Sequence, residues 1–310
     1  MKRWIKYIVI FALLAGGVIL CAIRWQAWFG MPNEPQWTGD TLHYTFPFFD
    51  RDTTPEELEI LVLGDIHNRL KREDYDTLAA RLPYIDGIAQ SGDWMDRGQD
   101  YYYQLLLREW THSALYGTPV IVAPGNHEYS KGLHRTLSPV WENAFAHPHN
   151  GPKGVPGAHY YVDFDQVRFI VIDTNPLDRL VYLTRTLTWL RQAMYTASGR
   201  FIVVMMHHPV LSVAKGRFNS LIYATFRHAL GEADLVIAGH DHSYMRKGCF
   251  VVSNISGNPK QQHFRYTPDV TATEPVYGVL RVSNLKSQMQ FTVYRLEDGA
   301  LIDSLYVKHD

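Results

Sequence analysis

From residue 58 onward the chain alternates short apolar runs with longer stretches whose apolar residues recur every three or four positions. The runs ILVL (60 to 63), VIVA (120 to 123), FIVVMM (201 to 206) and DLVIA (234 to 238) have strand length and no polar alternation, which predicts strands buried on both faces. GIAQS (87 to 91) reads as a further short strand, and HYYVDFDQVRFIVID (159 to 173) predicts a hairpin turning near Asp165 and Gln166. Between the runs, Tyr75, Leu78, Ala79 and Leu82 share one helical face, as do Leu180, Leu183, Leu187, Leu190 and Met194. Strand and helix in alternation predict an α/β domain. After Arg246 the pattern becomes strands alone, around CFVVSNI, VYGVLRVS, QFTVYRL and LIDSLYV. No internal repeat interrupts this order.

The first residues obey a different rule. Tyr7 to Ile23, YIVIFALLAGGVILCAI, holds 17 residues without a charge. At about 1.5 Å per helical residue they span most of a bilayer's hydrocarbon core. Trp4 and Tyr7 suit one interface, Trp25 and Trp28 the other, and Lys2, Arg3 and Lys6 precede the run while only Arg24 closely succeeds it. The positive-inside rule then predicts a single transmembrane helix with a cytoplasmic N-terminus and everything after it extracytoplasmic, periplasmic in a bacterium. A cleaved signal would want a shorter apolar core and a small-x-small site, where IRWQAWF is bulky. The expected division is an anchor with flanks (1 to 28), a proline-bearing tether with Pro32, Pro35, Pro47 and Pro55 (29 to 57), and one domain (58 to 310).

Composition narrows this picture only a little. With 310 residues and 46% hydrophobic content the chain can bury one sizeable core, and its net charge of -1 supplies no global field for nucleic acid or an anionic surface. Cys21 lies inside the apolar run and Cys249 far from it, so a structural disulfide between them is not expected.

The residues at the end of each strand-like run carry the chemistry. ILVL leads into Gly64-Asp65-Ile66-His67, GIAQS into Gly92-Asp93, VIVAP into Gly125-Asn126-His127-Glu128, FIVVMM into His207-His208-Pro209, and DLVIA into Gly239-His240-Asp241-His242. Ligands of open α/β sheets sit beyond the carboxyl ends of the strands. Five such ends deliver Asp65, His67, Asp93, Asn126, His207, His240 and His242 to one rim. Seven oxygen and nitrogen donors without a thiolate suit two divalent ions sharing a bridging carboxylate, with manganese, iron or zinc expected. The segment GDWMDRG (92 to 98) gathers Asp93, Asp96 and Arg97 on one turn, and clustered charge there is intelligible if Asp93 bridges two cations.

These residues closely resemble the calcineurin-like metallophosphoesterase pattern of D-x-H, G-D-x-x-D/N, G-N-H-E/D, a lone His and G-H-x-H, over roughly residues 58 to 246. The resemblance implies a four-layer α/β/β/α sandwich and hydrolysis of phosphoesters by a hydroxide activated at a dinuclear centre. It implies that Asp65, His67, Asp93 and His242 hold one metal and that Asp93, Asn126, His207 and His240 hold the other. It further implies that His127 is the catalytic histidine, oriented by Asp96 from a helical first turn, and that Arg97 binds phosphate.

Several residues receive plainer expectations. Pro209 selects His207 over His208 as ligand, Asp241 points away from the rim, and Asp173 is a cap or turn residue. His134, His147, His149, His159 and His228 are expected on the surface or in the core. GDIHN, GDWMDRG and GNHE resemble protein serine/threonine phosphatases, but Asn68 replaces their glycine, and Pro124 and Lys131 stand where they have arginines. Purple acid phosphatases need a tyrosine ligand where this chain has Asp96 and Arg97. The expectation is a membrane-tethered phosphoesterase acting on a phosphorylated small molecule or lipid, with no nucleic-acid partner. The alternatives are a protein-phosphatase-like activity and a metal-binding module without turnover.

Overall fold

The computed structural model describes residues 57–130, 135–164, 166–255, 261–283 and 287–309. The apolar run and the tether predicted before Glu57 lie outside the described residues, as do Lys131, His134 and Asp165. Among the described residues, no helix is long and apolar enough to cross a membrane.

The chain first forms β1 (Glu57–Leu63), α1 (Arg72–Arg81), β2 (Gly87–Gln90), α2 (Asp100–Trp110), β3 (Val120–Val122) and α3 (Pro139–Ala144). It continues with β4 (Tyr160–Phe164), β5 (Val167–Ile172), α4 (Leu180–Tyr195), β6 (Phe201–Met206), α5 (Ser220–Leu230) and β7 (Leu235–Ala238). Strands alone complete it: β8 (Tyr244–Lys247), β9 (Phe250–Val252), β10 (Val270–Ala272), β11 (Val276–Ser283), β12 (Gln288–Arg295) and β13 (Leu301–Lys308).

Two sheets result. One has the order β13-β12-β11-β1-β2-β3 and the other β10-β8-β9-β7-β6-β5-β4. The strands β1, β2 and β3 run parallel, as do β5, β6 and β7, while β4 and β5 form the predicted hairpin. Period-two alternation explains how one apolar run can serve two cores. In β1, Leu58, Ile60 and Val62 join the core between the sheets, whereas Leu61 and Leu63 face the core shared with α1, α2 and α3. In β6, Val203 and Met205 face the inter-sheet core, and Val204 and Met206 pack toward α4 and α5. Helices therefore cover the outer face of each sheet.

The helical faces are legible but not in every residue. Tyr75, Leu78 and Leu82 are buried with α1, as their spacing predicts. On α4 the predicted stripe is corrected at its start: Leu180 is 77% exposed, and the buried set is Leu183, Thr186, Leu190, Ala193 and Met194. Thr186 and Ala193 take buried positions on that face, whereas Leu180, the first residue of the helix, lies outside it. Capping is local. Asn219 Oδ1 accepts from the Leu221 and Ile222 amides at 3.1 Å each, and Ser138 Oγ accepts from Val140 with Pro139 opening α3.

Candidate metal centre

The carboxyl ends of β1, β2 and β3 from one sheet and β6 and β7 from the other meet at a single rim. Main-chain hydrogen bonds lace its loops together: Asp65 N to Gly92 O at 3.0 Å, His67 N to Asp93 O at 2.9 Å, and Gly239 N to His207 O at 3.0 Å. The His240 amide donates to Asp65 Oδ1 at 2.9 Å, joining the two sheets across the rim.

Backbone conformation here is unusual. Asp65, His67, Asp93, His240 and His242 all have φ between 51° and 72°, the left-handed region that non-glycine residues avoid. Each such residue costs about 1 to 2 kcal/mol. Five expected ligands share this strain, so the rim gives up stability for side-chain direction. At Gly125 a Cβ would collide with Asp93 Oδ1 and its amide nitrogen, so only glycine lets the GNHE turn pass beneath that carboxylate.

The donors fall into two groups that meet at Asp93. Asp65, His67, Asp93 and His242 each offer one atom within 4.8 Å of the others, and all four are buried. His67 Nε2 lies 3.6 Å from Asp93 Oδ2 and 3.2 Å from His242 Nε2, and His242 Nε2 lies 3.6 Å from Asp65 Oδ1. On the other side, His207 Nε2 lies 3.2 Å from the same Asp93 Oδ2, 3.1 Å from Asn126 Oδ1 and 3.2 Å from His240 Nδ1. His207 Nδ1 faces Ser91 O at 3.0 Å, so in the neutral ring the proton sits on Nδ1 and the Nε2 lone pair faces inward.

The electrostatics test whether cations fit. Burial raises the Asp65 carboxyl to about 8, and burial lowers the His67 imidazole to about 3. Burial would lower His207 as well, but Asp93 outweighs it and holds the imidazole up near 9. The Asp93 carboxyl, which burial alone would raise, is driven well below the usual carboxylate range by His207. Asp65 Oδ2 and His67 Nδ1 are buried without a hydrogen-bond partner. Two ring nitrogens at 3.2 Å, an orphaned carboxylate oxygen and acids around a shared centre are costly together without positive charge. The residues present fit divalent cations.

The outer residues are placed differently from their sequence-based roles in two details. His127 Nδ1 donates to the main-chain oxygen of Asp96 at 2.5 Å, while the Asp96 carboxylate Oδ1 stands 3.9 Å from that nitrogen. Asp96 is not on a helical first turn: the segment is a loop, and α2 begins only at Asp100. The carboxylate instead approaches His67 Nδ1 at 3.7 Å. His127 Nε2 faces Asp93 Oδ2 at 3.9 Å, with about a third of its side chain exposed. Arg97 is exposed, its guanidinium 6.0 Å from the Tyr102 ring, and it has no carboxylate partner among the described residues.

Two supporting residues were not assigned a role from sequence. Glu128, the last residue of GNHE, is buried, and its carboxylate accepts from the amides of Asp93 (2.9 Å), Gly125 (2.6 Å) and Met95 (3.1 Å). It binds the GDWMD loop to the GNHE turn. Asn68 Oδ1 accepts from the Asp96 amide at 2.7 Å, and its Nδ2 donates to Tyr102 O at 2.8 Å. The motif letters contained both residues, but their partners across the rim lie 28 to 35 positions away. Asp241 turns from the rim to accept from Val213 N (2.6 Å), Ala214 N (3.2 Å) and Ser212 Oγ (3.2 Å). Asp173 accepts from Tyr129 Oη at 2.5 Å and Asn175 N at 3.0 Å, as a turn residue does. His208 lies nearer the rim than expected, its ring centroid 4.4 Å from that of His240 and its Nδ1 2.7 Å from Thr174 Oγ1.

Fold and site together define a metal-binding phosphoesterase class. The chain belongs to the calcineurin-like phosphoesterase family, whose sequence profile matches residues 58–244. Among solved structures, it is similar to purple acid phosphatase PPD1 from yellow lupin (Lupinus luteus) seeds, with 14% identity and a TM-score of 0.60. That match covers 83% of this chain but only 55% of the lupin enzyme. It is also similar to GAP50, the anchor in the inner membrane complex of Plasmodium, with 16% identity, a TM-score of 0.58, and coverage of 82% of this chain and 89% of that one. At such identities the likeness is one of fold. No curated protein sequence matches the chain significantly.

Proposed function

We propose that this protein hydrolyses phosphoester bonds of a small-molecule or lipid substrate at a centre of two divalent ions, manganese, iron or zinc. The observation that carries this reading is the position of Asp93 Oδ2, 3.6 Å from His67 Nε2 on one side and 3.2 Å from His207 Nε2 on the other. A single carboxylate oxygen set between two donor groups suits a bridging ligand. Asp65, His67 and His242 complete one group, and Asn126, His207 and His240 the other. When bound, divalent ions supply a nucleophile at neutral pH and take up charge developing on the phosphoryl oxygens.

The chain's own residues do the rest. His127, with Nδ1 donating to the Asp96 carbonyl, presents Nε2 toward the centre and toward solvent, where in protonated form it can donate to a departing oxygen. Arg97, without a carboxylate partner among the described residues, is free to swing onto a non-bridging phosphate oxygen. Glu128 and Asn68 hold the loop that carries Asp93, Asp96 and Arg97.

Membrane tethering belongs to the same proposal. The apolar run from Tyr7 to Ile23 and its basic N-terminal flank support a single-pass chain with the domain extracytoplasmic. A second reading is a module without turnover; GAP50, a structure of similar fold, is described as an anchor. The presence here of His127 beside a full donor set favours the enzyme, because binding alone needs no such proton donor.

Phosphate release from p-nitrophenyl phosphate and from bis(p-nitrophenyl) phosphate by the purified full-length protein tests this. Activity is expected to disappear with chelator and to return with manganese, iron or zinc, and Asp93→Asn is expected to abolish it. Metal binding with no release from either ester would establish the module instead.

A further inference from the structure

The loop between β6 and α5 and the loop before β10 build a second surface on the lip of the metal centre. Asp241 fastens residues 212 to 214 beside the ligand loop, and Arg217 Nη1 donates to the His240 carbonyl. The second loop packs on the first through Lys215 N to Gln261 O at 2.8 Å and His263 N to Val213 O at 2.7 Å. Tyr266 Oη adds a bond to Ser212 O at 3.0 Å.

Side chains on this surface set two neighbouring rings between two cations. Arg265 Cζ lies 4.5 Å from the Phe218 ring centroid, Phe218 stands 5.3 Å from Tyr223, and Arg227 Cζ lies 5.0 Å over Tyr223. Phe264 is 41% exposed and Leu221 is 54% exposed, and Lys215 and Arg265 are exposed on the two loops. Residues 211 to 228 and 261 to 268 contain Lys215, Arg217, Arg227 and Arg265 and no Asp or Glu. The next acids along the chain are the exposed Glu232 after the first segment and, after the second, Asp269, which is already occupied by Lys247 Nζ at 2.9 Å and the Gly248 amide at 2.8 Å.

We infer that this ridge is a docking surface for an anionic lipid bilayer and holds the mouth of the metal centre against the membrane. Exposed Phe and Leu among Arg and Lys match an interface where rings and aliphatic chains enter the headgroup layer and cations meet anionic lipids. A chain with a net charge of -1 gains no membrane attraction as a whole, so an acid-free basic ridge is where such attraction is concentrated. The expected tether, residues 29 to 57, can extend up to about 3.3 Å per residue and would let any face of the domain meet the bilayer. The tether cannot choose the face. The surface charge and the exposed apolar side chains can. This inference does not depend on turnover at the metal centre.

The test is amide hydrogen exchange on the full-length protein with phosphatidylcholine vesicles, with mixed phosphatidylcholine and phosphatidylglycerol vesicles, and with a short single-stranded oligonucleotide. With the mixed vesicles, amides in 213 to 221 and 261 to 266 are expected to exchange about tenfold more slowly, an effect weakened by salt. Phosphatidylcholine alone should not produce it. The pair Lys215→Glu and Arg265→Glu should remove the protection and leave hydrolysis of a soluble ester unchanged. Equal exchange with both vesicle types overturns the inference. So does protection of a different face, or protection of the ridge by the oligonucleotide and not by anionic vesicles.

Discussion

The rim of the metal centre and the C-terminal meander of β11, β12 and β13 are built on opposite terms. In the meander, β11 and β12 keep an unbroken antiparallel register from Val276 opposite Arg295 to Ser283 opposite Gln288, and β12 and β13 pair with a single shift at Val293 and Tyr294. Its inward residues Val276, Leu280, Val282, Met289, Phe291 and Val293 fill the core between the sheets. Among the described residues, left-handed backbone occurs next to its strands only in turns, at Ser287 and Gly299. The rim instead holds five Asp and His residues in left-handed backbone and buries carboxylates and imidazoles against one another. One region gains stability from apolar burial; the other loses it to donor geometry. Substitutions should therefore separate stability from activity according to region.

The largest effect is expected from Asp93→Asn. Turnover should fall by more than about a thousandfold, roughly 4 kcal/mol, together with metal content. The melting temperature of the metal-free protein should change little, because the burial cost of the carboxylate and its pairing with His207 are lost together. Metal analysis and thermal melts on one preparation measure both. A melting temperature that drops in parallel with activity would erase the contrast between rim and meander.

Phe291→Ala should do the reverse. Phe291 is 1% exposed, and its ring packs where a Cβ at Gly278 would sit, so truncation leaves a cavity costing about 3 to 4 kcal/mol. Denaturant unfolding should show that loss, while phosphate release per folded molecule stays unchanged. Arg97→Ala sharpens the comparison within the rim. Losing a charged phosphate contact should lower kcat/KM by about 2 to 3 kcal/mol, and metal content and melting temperature should not move.

Asp303 in β13 carries a smaller effect with a defined pH dependence. Tyr244 Oη donates to it at 2.7 Å and Arg246 Nε at 2.6 Å, tying the meander to β8 of the other sheet. Burial pushes the Asp303 carboxyl up, but the Arg246 and Tyr244 hydrogen bonds outweigh it and hold the carboxyl below its ordinary value of 3.8. A depressed folded pKa stabilises the protein fully above the unfolded value and loses that contribution as pH falls through the folded one. Asp303→Asn should thus cost about 1 to 2 kcal/mol at neutral pH, and the gap from the parent should close in acid below 3.8. Melting temperatures across that range are the measurement.

The smallest effect is expected from Asp96→Asn. Its main-chain carbonyl holds His127, and an amide side chain leaves that carbonyl in place. Turnover should fall by less than about 1 kcal/mol even for esters with poor leaving groups. A tenfold loss confined to such esters would show that the carboxylate moves onto His127 during the reaction.

Much of this protein is legible in the sequence because its signals are local. Runs of four to six apolar residues announced β1, β3, β6 and β7, since a strand buried on both faces has no polar positions to keep. Glycine next to Asp, Asn or His, and His-His-Pro after β6, named the residues that gather at the rim, since strand ends and sharp turns are encoded by adjacent residues. The short strands β8 and β10 carried no such run, because partners in the sheet rather than apolar content stabilise them. Tertiary structure alone decided the rest. It split the strands between two sheets and placed β11 beside β1, pairings that span more than 200 residues. It gave Glu128 and Asn68 their loop-fastening roles and substituted the Asp96 carbonyl for its carboxylate at His127. It also set Phe218, Tyr223 and Arg265 in one row beside the metal centre. The reason is physical. Propensity, turns and strand-end motifs act between neighbours in the chain, whereas hydrogen-bond partners and ring contacts are fixed only when distant segments are packed together.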